Sequence, residues 1–176
     1  MRIFFMSTGR IGFSQWTKED LSLAGQLWGD PEVTRYLCAS GRFTDNEINE
    51  RLIKEIHNQK EYGVQYWPFF ALNEDQLIGC CGLRPFQAEE KIFELGFHLR
   101  KEFWGKGYAF EAADSVIRYF FENFRGSKLI AGHHPHNAAS QKLLTRLGFE
   151  SIGQRFYEPT GLYHPAYERA AKGINT

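Results

Sequence analysis

Phe103-Trp104-Gly105-Lys106-Gly107-Tyr108-Ala109 sets two glycines two residues apart, directly ahead of a long helix with an apolar face. Glycines so placed let the backbone turn tightly and approach a ligand closely. The first N–H groups of the helix behind them lack intrahelical partners and point at the same spot, which suits an anion, phosphate above all. An ordinary strand-to-helix turn uses the same residues, so this segment alone also reads as a plain connection. A second segment, Asn137-Ala138-Ala139-Ser140 through Leu147-Gly148-Phe149, places Leu143, Leu144 and Leu147 on a core face. Asn137 and Ser140 stand three apart at its start, where side chains cap a helix or meet a ligand, and Gly148 closes it. His133-His134-Pro135-His136 gathers three imidazoles, but Pro135 stiffens the turn and no Cys, Asp or Glu set accompanies them, so no metal site is expected.

The elements that must position these residues follow from periodicity and turn punctuation. Arg10 to Trp16 reads as a strand, and Thr17 with Asp20 as the capping box of a helix through Leu21, Ala24, Leu27 and Trp28. Asp30-Pro31 starts a short helix towards Tyr36 and Leu37, and Thr44-Asp45-Asn46-Glu47 caps another through Ile48, Leu52 and Ile56. Gln65–Leu72 and Leu77–Arg84 form a hairpin about the polar turn Asn73-Glu74-Asp75-Gln76. Lys91–Leu99 alternates, with Phe93, Leu95, Phe97 and Leu99 on one face and Glu94, Gly96 and His98 on the other. A helix over Tyr108–Phe124 ends at Arg125-Gly126. Ser127–Gly132 is a strand, Ala138–Leu147 a helix, and Phe149–Glu158 and Leu162–Glu168 are the last two strands. The order describes a mixed α/β layer with one βαβ crossover.

Composition bounds the rest. A chain of 176 residues, 43% hydrophobic and 24% charged, suits one globular domain with a full core. Lys+Arg and Asp+Glu balance at 21 each, which argues against a nucleic-acid or membrane-surface partner. Cys38, Cys80 and Cys81 make a poor disulfide framework, so a reducing cytoplasm is expected. The adjacent pair should point to opposite faces of a strand as small packing residues. The apolar start Met1-Arg2-Ile3-Phe4-Phe5-Met6 is too short for a signal segment, and no run approaches a membrane span. Trp67, Phe69, Phe70, Phe86 and Trp104 are expected in core and cleft walls.

The two segments, in this order and spacing, resemble the GNAT acyltransferase superfamily. The closer likeness is to its branch of ribosomal-protein N-terminal acetyltransferases (RimJ/RimL type). Glu94-Leu95-Gly96-Phe97, Phe103 to Ala109 with Glu111-Ala112, and Asn137 to Phe149 carry it, joined by Asp30-Pro31-Glu32-Val33, Tyr36-Leu37 and Leu77-Ile78-Gly79. The resemblance runs over most of the chain from Arg10 onward. It implies a GNAT fold in one domain, 1–176: a splayed, mixed, mostly antiparallel sheet of about seven strands flanked by about four helices.

That fold implies acetyl-coenzyme A, as acyl donor, in the gap beyond the Lys91–Leu99 strand. By position, the pyrophosphate would meet the backbone N–H groups of Trp104, Gly105, Lys106, Gly107, Tyr108 and Ala109. The pantetheine arm would pair with the backbone around Phe97 and Leu99, and Asn137 and Ser140 would face the thioester end. Two positions depart from the family pattern. Glu102 replaces an Arg or Gln, so its side chain should point away from the phosphates. Leu144 stands where many members have the tyrosine that protonates the departing thiolate; the RimJ/RimL-type branch commonly lacks that tyrosine, and likeness to it implies the Ser140 hydroxyl as the proton donor. Glu94 is the expected base, with His98 on the same face as the alternative. The implied activity is transfer of acetyl to a primary amine, on a protein N-terminus or a small molecule, by direct attack in a ternary complex. The implied alternatives are a different acyl donor or a non-catalytic coenzyme A-sensing module. No metal, nucleic acid or membrane is implied, and the protein would be a monomer or homodimer. The acceptor would be shaped by the helices between Thr17 and Lys60 and by the hairpin Phe156–Tyr167.

Overall fold

The computed structural model describes residues 2–171. In chain order its elements are β1 (Met6–Ser7), β2 (Ile11–Phe13), α1 (Leu21–Trp28), α2 (Pro31–Thr34), α3 (Asp45–Tyr62), β3 (Tyr66–Ala71), β4 (Gln76–Gln87), β5 (Ile92–Leu99), α4 (Tyr108–Asn123), β6 (Lys128–Gly132), α5 (Ala138–Arg146), β7 (Glu150–Tyr157) and β8 (Leu162–Ala170). Capping chemistry sets the helix starts. Thr44 and Glu47 close their box at α3, and the Asp20 carboxylate accepts from the Thr17 N–H at 2.9 Å, ahead of α1. Gly63, left-handed at φ 71°, ends α3.

The eight strands form one sheet in the order β1-β2-β3-β4-β5-β6-β8-β7. Every pairing is antiparallel except β5 with β6, which α4 joins as the one βαβ crossover. The GNAT-type splayed sheet is therefore present, with one strand and one helix more than the approximate counts expected. The additional strand is β1, whose two residues are too few to show a period. The first long strand is shorter than its sequence pattern. Beyond Phe13, the Ser14 N–H still donates to the Pro68 carbonyl, but the Trp16 N–H turns to the Gln65 side chain.

Core residues divide between the two sheet faces. Phe93, Leu95 and Leu99 pack with Val116, Ile117 and Phe120 of α4, while Tyr66, Phe70 and Leu77 pack with Leu27, Trp28 and Leu52 of α1 and α3. Cys80 joins the second cluster and Cys81 the first, as expected of strand neighbours, and burial pushes the Cys80 thiol up to about 12. Trp67, Phe69 and Phe70 are core residues, whereas Phe86 is exposed beneath Arg155. No described helix is long and apolar enough to cross a membrane.

Gly82 is fixed by its neighbour strand, because an added Cβ would collide with the Gln65 carbonyl oxygen. That oxygen is backbone and cannot rotate away. Gly82→Ala should therefore lose about 1–3 kcal/mol, read from the urea midpoint of unfolding. An unchanged midpoint would contradict this packing.

Candidate active site

Strands β5 and β6 stay together for three register pairs only, Ile92 with Lys128, Phe93 with Leu129 and Glu94 with Ile130. Beyond Glu94 the two diverge, and that side of β5 has no strand beside it. The Arg100 N–H donates to Ile78 O at 2.9 Å, which fixes the alternation along β5. His98, Gly96 and Glu94 therefore direct their backbone groups to β4, and Phe97 and Leu99 direct theirs into the gap. One is already used, since Trp104 Nε1 donates to the Leu99 carbonyl at 2.9 Å. The Leu99 N–H and both Phe97 groups form an unpaired strand edge.

The gap runs to the N-terminus of α4. Gly105 and Gly107 take left-handed backbone, at φ 72° and 82°, which side chains disfavour. A Cβ on Gly105 would meet nothing within 4 Å, so the loop borders open space. The Trp104 N–H donates to Lys101 O, so the free run begins one residue later than the motif suggested. From Gly105 to Phe110 no backbone N–H has a partner among the described residues, and the first helical bond is Glu111 N–H to Gly107 O. These N–H groups, with the helix dipole, make an anion cradle. Arg10 braces it from β2's side: its Nε donates to Glu111 at 2.8 Å, a second nitrogen reaches Lys106 O at 3.3 Å, and it covers the Tyr108 ring at 4.5 Å. Glu102 is ion-paired with Arg100 at 2.6 Å, and Arg100 also donates to Leu77 O, so this carboxylate is neutralised on the β4 side.

The start of α5 faces the same cleft. Asn137 Oδ1 accepts from the Ser140 N–H at 3.1 Å, so Asn137 is the helix cap, and both residues line the cavity. The Ser140 hydroxyl has no partner among the described residues. Leu144 is buried in the core while Leu143 borders the cavity. The whole cleft measures about 460 Å³ and also takes in Tyr36, Tyr66, Arg84, Glu94, Arg146 and Arg155. Arg146 covers the Phe110 ring at 3.9 Å, adding positive charge at the cradle end.

On the far side of β5 lie the groups expected to handle protons. Glu94 accepts from Arg155 at 2.7 Å, leaving its other oxygen free of protein partners among the described residues. His98 does not suit the role of alternative base. Trp28 Nε1 donates to its Nδ1 at 3.1 Å, which fixes the neutral tautomer with hydrogen on Nε2 and leaves no free lone pair. Burial, then Arg51 and Arg84, push its pKa well below 6.5. The imidazoles of the His-rich loop go to separate partners: His133 reaches Tyr167 OH at 3.1 Å, and His134 stacks on Tyr36 at 4.7 Å while accepting from the His136 N–H. Among the described residues no group of three metal-ligating side chains converges.

Sequence reasoning missed Arg51, Glu55, Tyr66 and Arg84. Glu55 is completely buried, bonded by Arg51 at 2.7 Å, by Arg84 at 2.9 Å and by the Tyr66 N–H at 2.7 Å. Burial alone would raise its pKa, but the two guanidiniums hold it below the usual carboxylate range. The Arg51–Glu55 spacing of four was the one available signal, and it reads as an ordinary helix-surface pair.

The family described as "Acetyltransferase (GNAT) domain" matches residues 10–150. The "Uncharacterized N-acetyltransferase p20" of Bacillus licheniformis is 32% identical over 147 residues, covering 83% of this chain and 82% of its own. The "[Ribosomal protein uS5]-alanine N-acetyltransferase" of Escherichia coli is 32% identical over 103 residues, 58% of this chain and 52% of its own, in line with the RimJ/RimL-type likeness. Among solved structures, the ribosomal L7/L12 alpha-N-protein acetyltransferase RimL in complex with coenzyme A superposes with a TM-score of 0.80 at 13% identity, over 96% of this chain and 98% of that one.

The histidines make stability pH-dependent. His98 and His134 have pKa values lowered by burial first and then by neighbouring cations or imidazoles, and burial with His134 brings His164 down to about 4. An unfolded chain binds protons on these rings as pH falls below about 6.5, while the folded protein does not. Their contribution is therefore complete above that value and declines as pH falls towards the folded pKa values. The melting temperature should drop between about pH 7.5 and 5, and less steeply in His98→Gln. A flat profile over that range would contradict the assignment.

Proposed function

The chain belongs to the GNAT acetyltransferase family, and we propose that it transfers the acetyl group of acetyl-coenzyme A to a primary amine within a ternary complex, acting as a single domain. The observation that carries this reading is one cleft joining an unpaired strand edge at Phe97 and Leu99 to six successive free N–H groups at Gly105–Phe110. An extended amide-bearing arm ending in a pyrophosphate matches that pair of features: the arm can add to β5 like a strand, and the anion can rest on the helix N-terminus. The relative solved with coenzyme A has the same fold. Gly105, Lys106, Gly107, Tyr108 and Ala109 act through backbone, with Lys106 and Arg146 adding charge. Trp104 contributes its ring to the cleft wall and its indole N–H to Leu99.

The chemistry asks little of the protein. The thioester supplies an activated acyl carbon. A neutral amine forms the new N–C bond as the C–S bond breaks, one proton leaves the nitrogen and one joins the departing sulfur. Glu94, through the oxygen not held by Arg155, takes the first proton directly or by way of water. Ser140, whose hydroxyl borders the cleft at the start of α5, supplies the second. Asn137 holds that helix start in place by its cap.

Isothermal calorimetry should show coenzyme A binding to the wild type and a loss of at least about tenfold in Gly107→Val, whose side chain would crowd the cradle. Absence of binding in the wild type would overturn the reading. Ser140→Ala should lower kcat about 10- to 100-fold with coenzyme A affinity retained. Unchanged turnover would remove Ser140 from the proton-donor role.

A further inference from the structure

The acceptor half of the cleft has a floor that acyl transfer alone does not require. Tyr66, Gly82 and Gly96 form one row across β3, β4 and β5. With no side chain on either glycine, the Tyr66 ring lies across the sheet and brings its hydroxyl over Gly96, into the space a Cβ would fill. Arg84 and Arg51 cover that ring at 4.4 and 5.2 Å from its centroid. Both guanidiniums share a single Glu55 oxygen. Arg51 Nη2 and Arg84 Nε are buried with no hydrogen-bond partner among the described residues. Both side chains nevertheless line the cleft.

The charges around this floor do not balance. Lys54 neighbours both arginines, and burial, Arg84 and Arg51 together lower its pKa. Arg155, on the opposite wall, is matched by Glu94. Four cations, Arg51, Arg84, Lys54 and Arg155, thus face two carboxylates, Glu55 and Glu94, in a chain of zero formal net charge. Guanidinium groups with unmatched, buried N–H donors are costly, and an anion beside the same side chains in the cleft offsets that cost. Their planar fork fits a carboxylate. Positive surroundings also favour the neutral, attacking form of an amine and disfavour a polycation.

We propose that the acceptor carries a carboxylate close to its reacting amine, held on the cleft floor by Arg84 and Arg51. This rests on the transferase reading and narrows its substrate to amino-acid-like or acidic-peptide amines, away from polyamines. In the register, Arg84 stands opposite Glu94 and Gly82 opposite Gly96. The arginine's strand position is therefore three residues, about 10 Å, from Phe97 on the opened edge, a separation that the arginine side chain and one or two residues of acceptor together bridge.

The test compares acceptors by thiol release with acetyl-coenzyme A. Alanine is set against alaninamide, the amidated dipeptide Ala-Asp against Ala-Asn, and spermidine stands apart. In at least one pair the carboxylate member should show kcat/KM about tenfold or more above its neutral partner, with spermidine poorest. Which pair responds tells whether the carboxylate lies on the amine-bearing residue or the next. In Arg84→Gln that preference should shrink to about threefold or less, with coenzyme A affinity unchanged. Because Arg84 also supports buried Glu55, a wild-type measurement stands beside it: acetylated Ala-Asp should inhibit more strongly than acetylated Ala-Asn. Transfer without preference for the carboxylate member, or equal inhibition by the two products, would overturn this proposal and leave the transferase reading intact. Coenzyme A binding with no transfer to any amine would overturn the transferase reading and this proposal with it.

Discussion

The early parting of β5 from β6 is the constraint on which the rest of the molecule depends. A parallel pair joined by a helix would ordinarily run its full length, because each unmade ladder bond leaves a backbone donor or acceptor unsatisfied. Here three register pairs suffice, and the strands separate beyond Glu94. The separation is held from both ends. Phe93 and Leu95 anchor β5 to α4 through the core, and β6 is tied to β8 over its whole length, from Lys128 with Ala170 to Gly132 with Ala166. Between these anchors the Phe97 backbone groups and the Leu99 N–H pair with no strand among the described residues.

The same constraint explains where the charges lie. Opening the sheet exposes a passage from one face to the other, and the two mouths differ. At the α4 end the positive character comes from backbone dipoles, steadied by the Arg10–Glu111 pair and flanked by Arg146. At the α3 end it comes from guanidiniums packed on Tyr66, with completely buried Glu55 as their common counter-ion. A buried carboxylate is tolerated only when it is paired and hydrogen-bonded, and two arginines on one oxygen with a backbone N–H on the other do this for Glu55. Charges that cancel over the whole sequence are thus segregated in space. Overall neutrality is silent about a basic cleft.

Local chemistry was well read from the sequence. The boxes at Thr17 and Thr44, the hairpin turn through Asn73–Asp75, with Gln76 already the first residue of β4, the alternation along β5 and the left-handed turn at Gly105 and Gly107 are each fixed by residues a few positions apart. What the sequence could not show needs partners distant in the chain. His98 looked available as a base on its strand face, until Trp28, seventy positions away, took its lone pair. Tyr66 lies flat only because Gly82 and Gly96 stand beside it in the folded register. Glu55 and Arg84 meet across an intervening strand, and nothing in either local segment announces it. Trp104 was placed in the cradle by its motif, but Lys101 had already engaged its N–H, a detail of the turn that precedes the glycines.

The central claim is that an unpaired strand edge and a run of free helix-terminal N–H groups together receive the acyl donor. Amide hydrogen exchange with and without acetyl-coenzyme A tests it most directly. The account predicts that the amides of Phe97, Leu99 and Gly105–Phe110 become strongly protected on binding, while amides already bonded within the β3–β4 hairpin change little. Binding that leaves those edge and loop amides exchanging as before, or that protects a different surface, would contradict it.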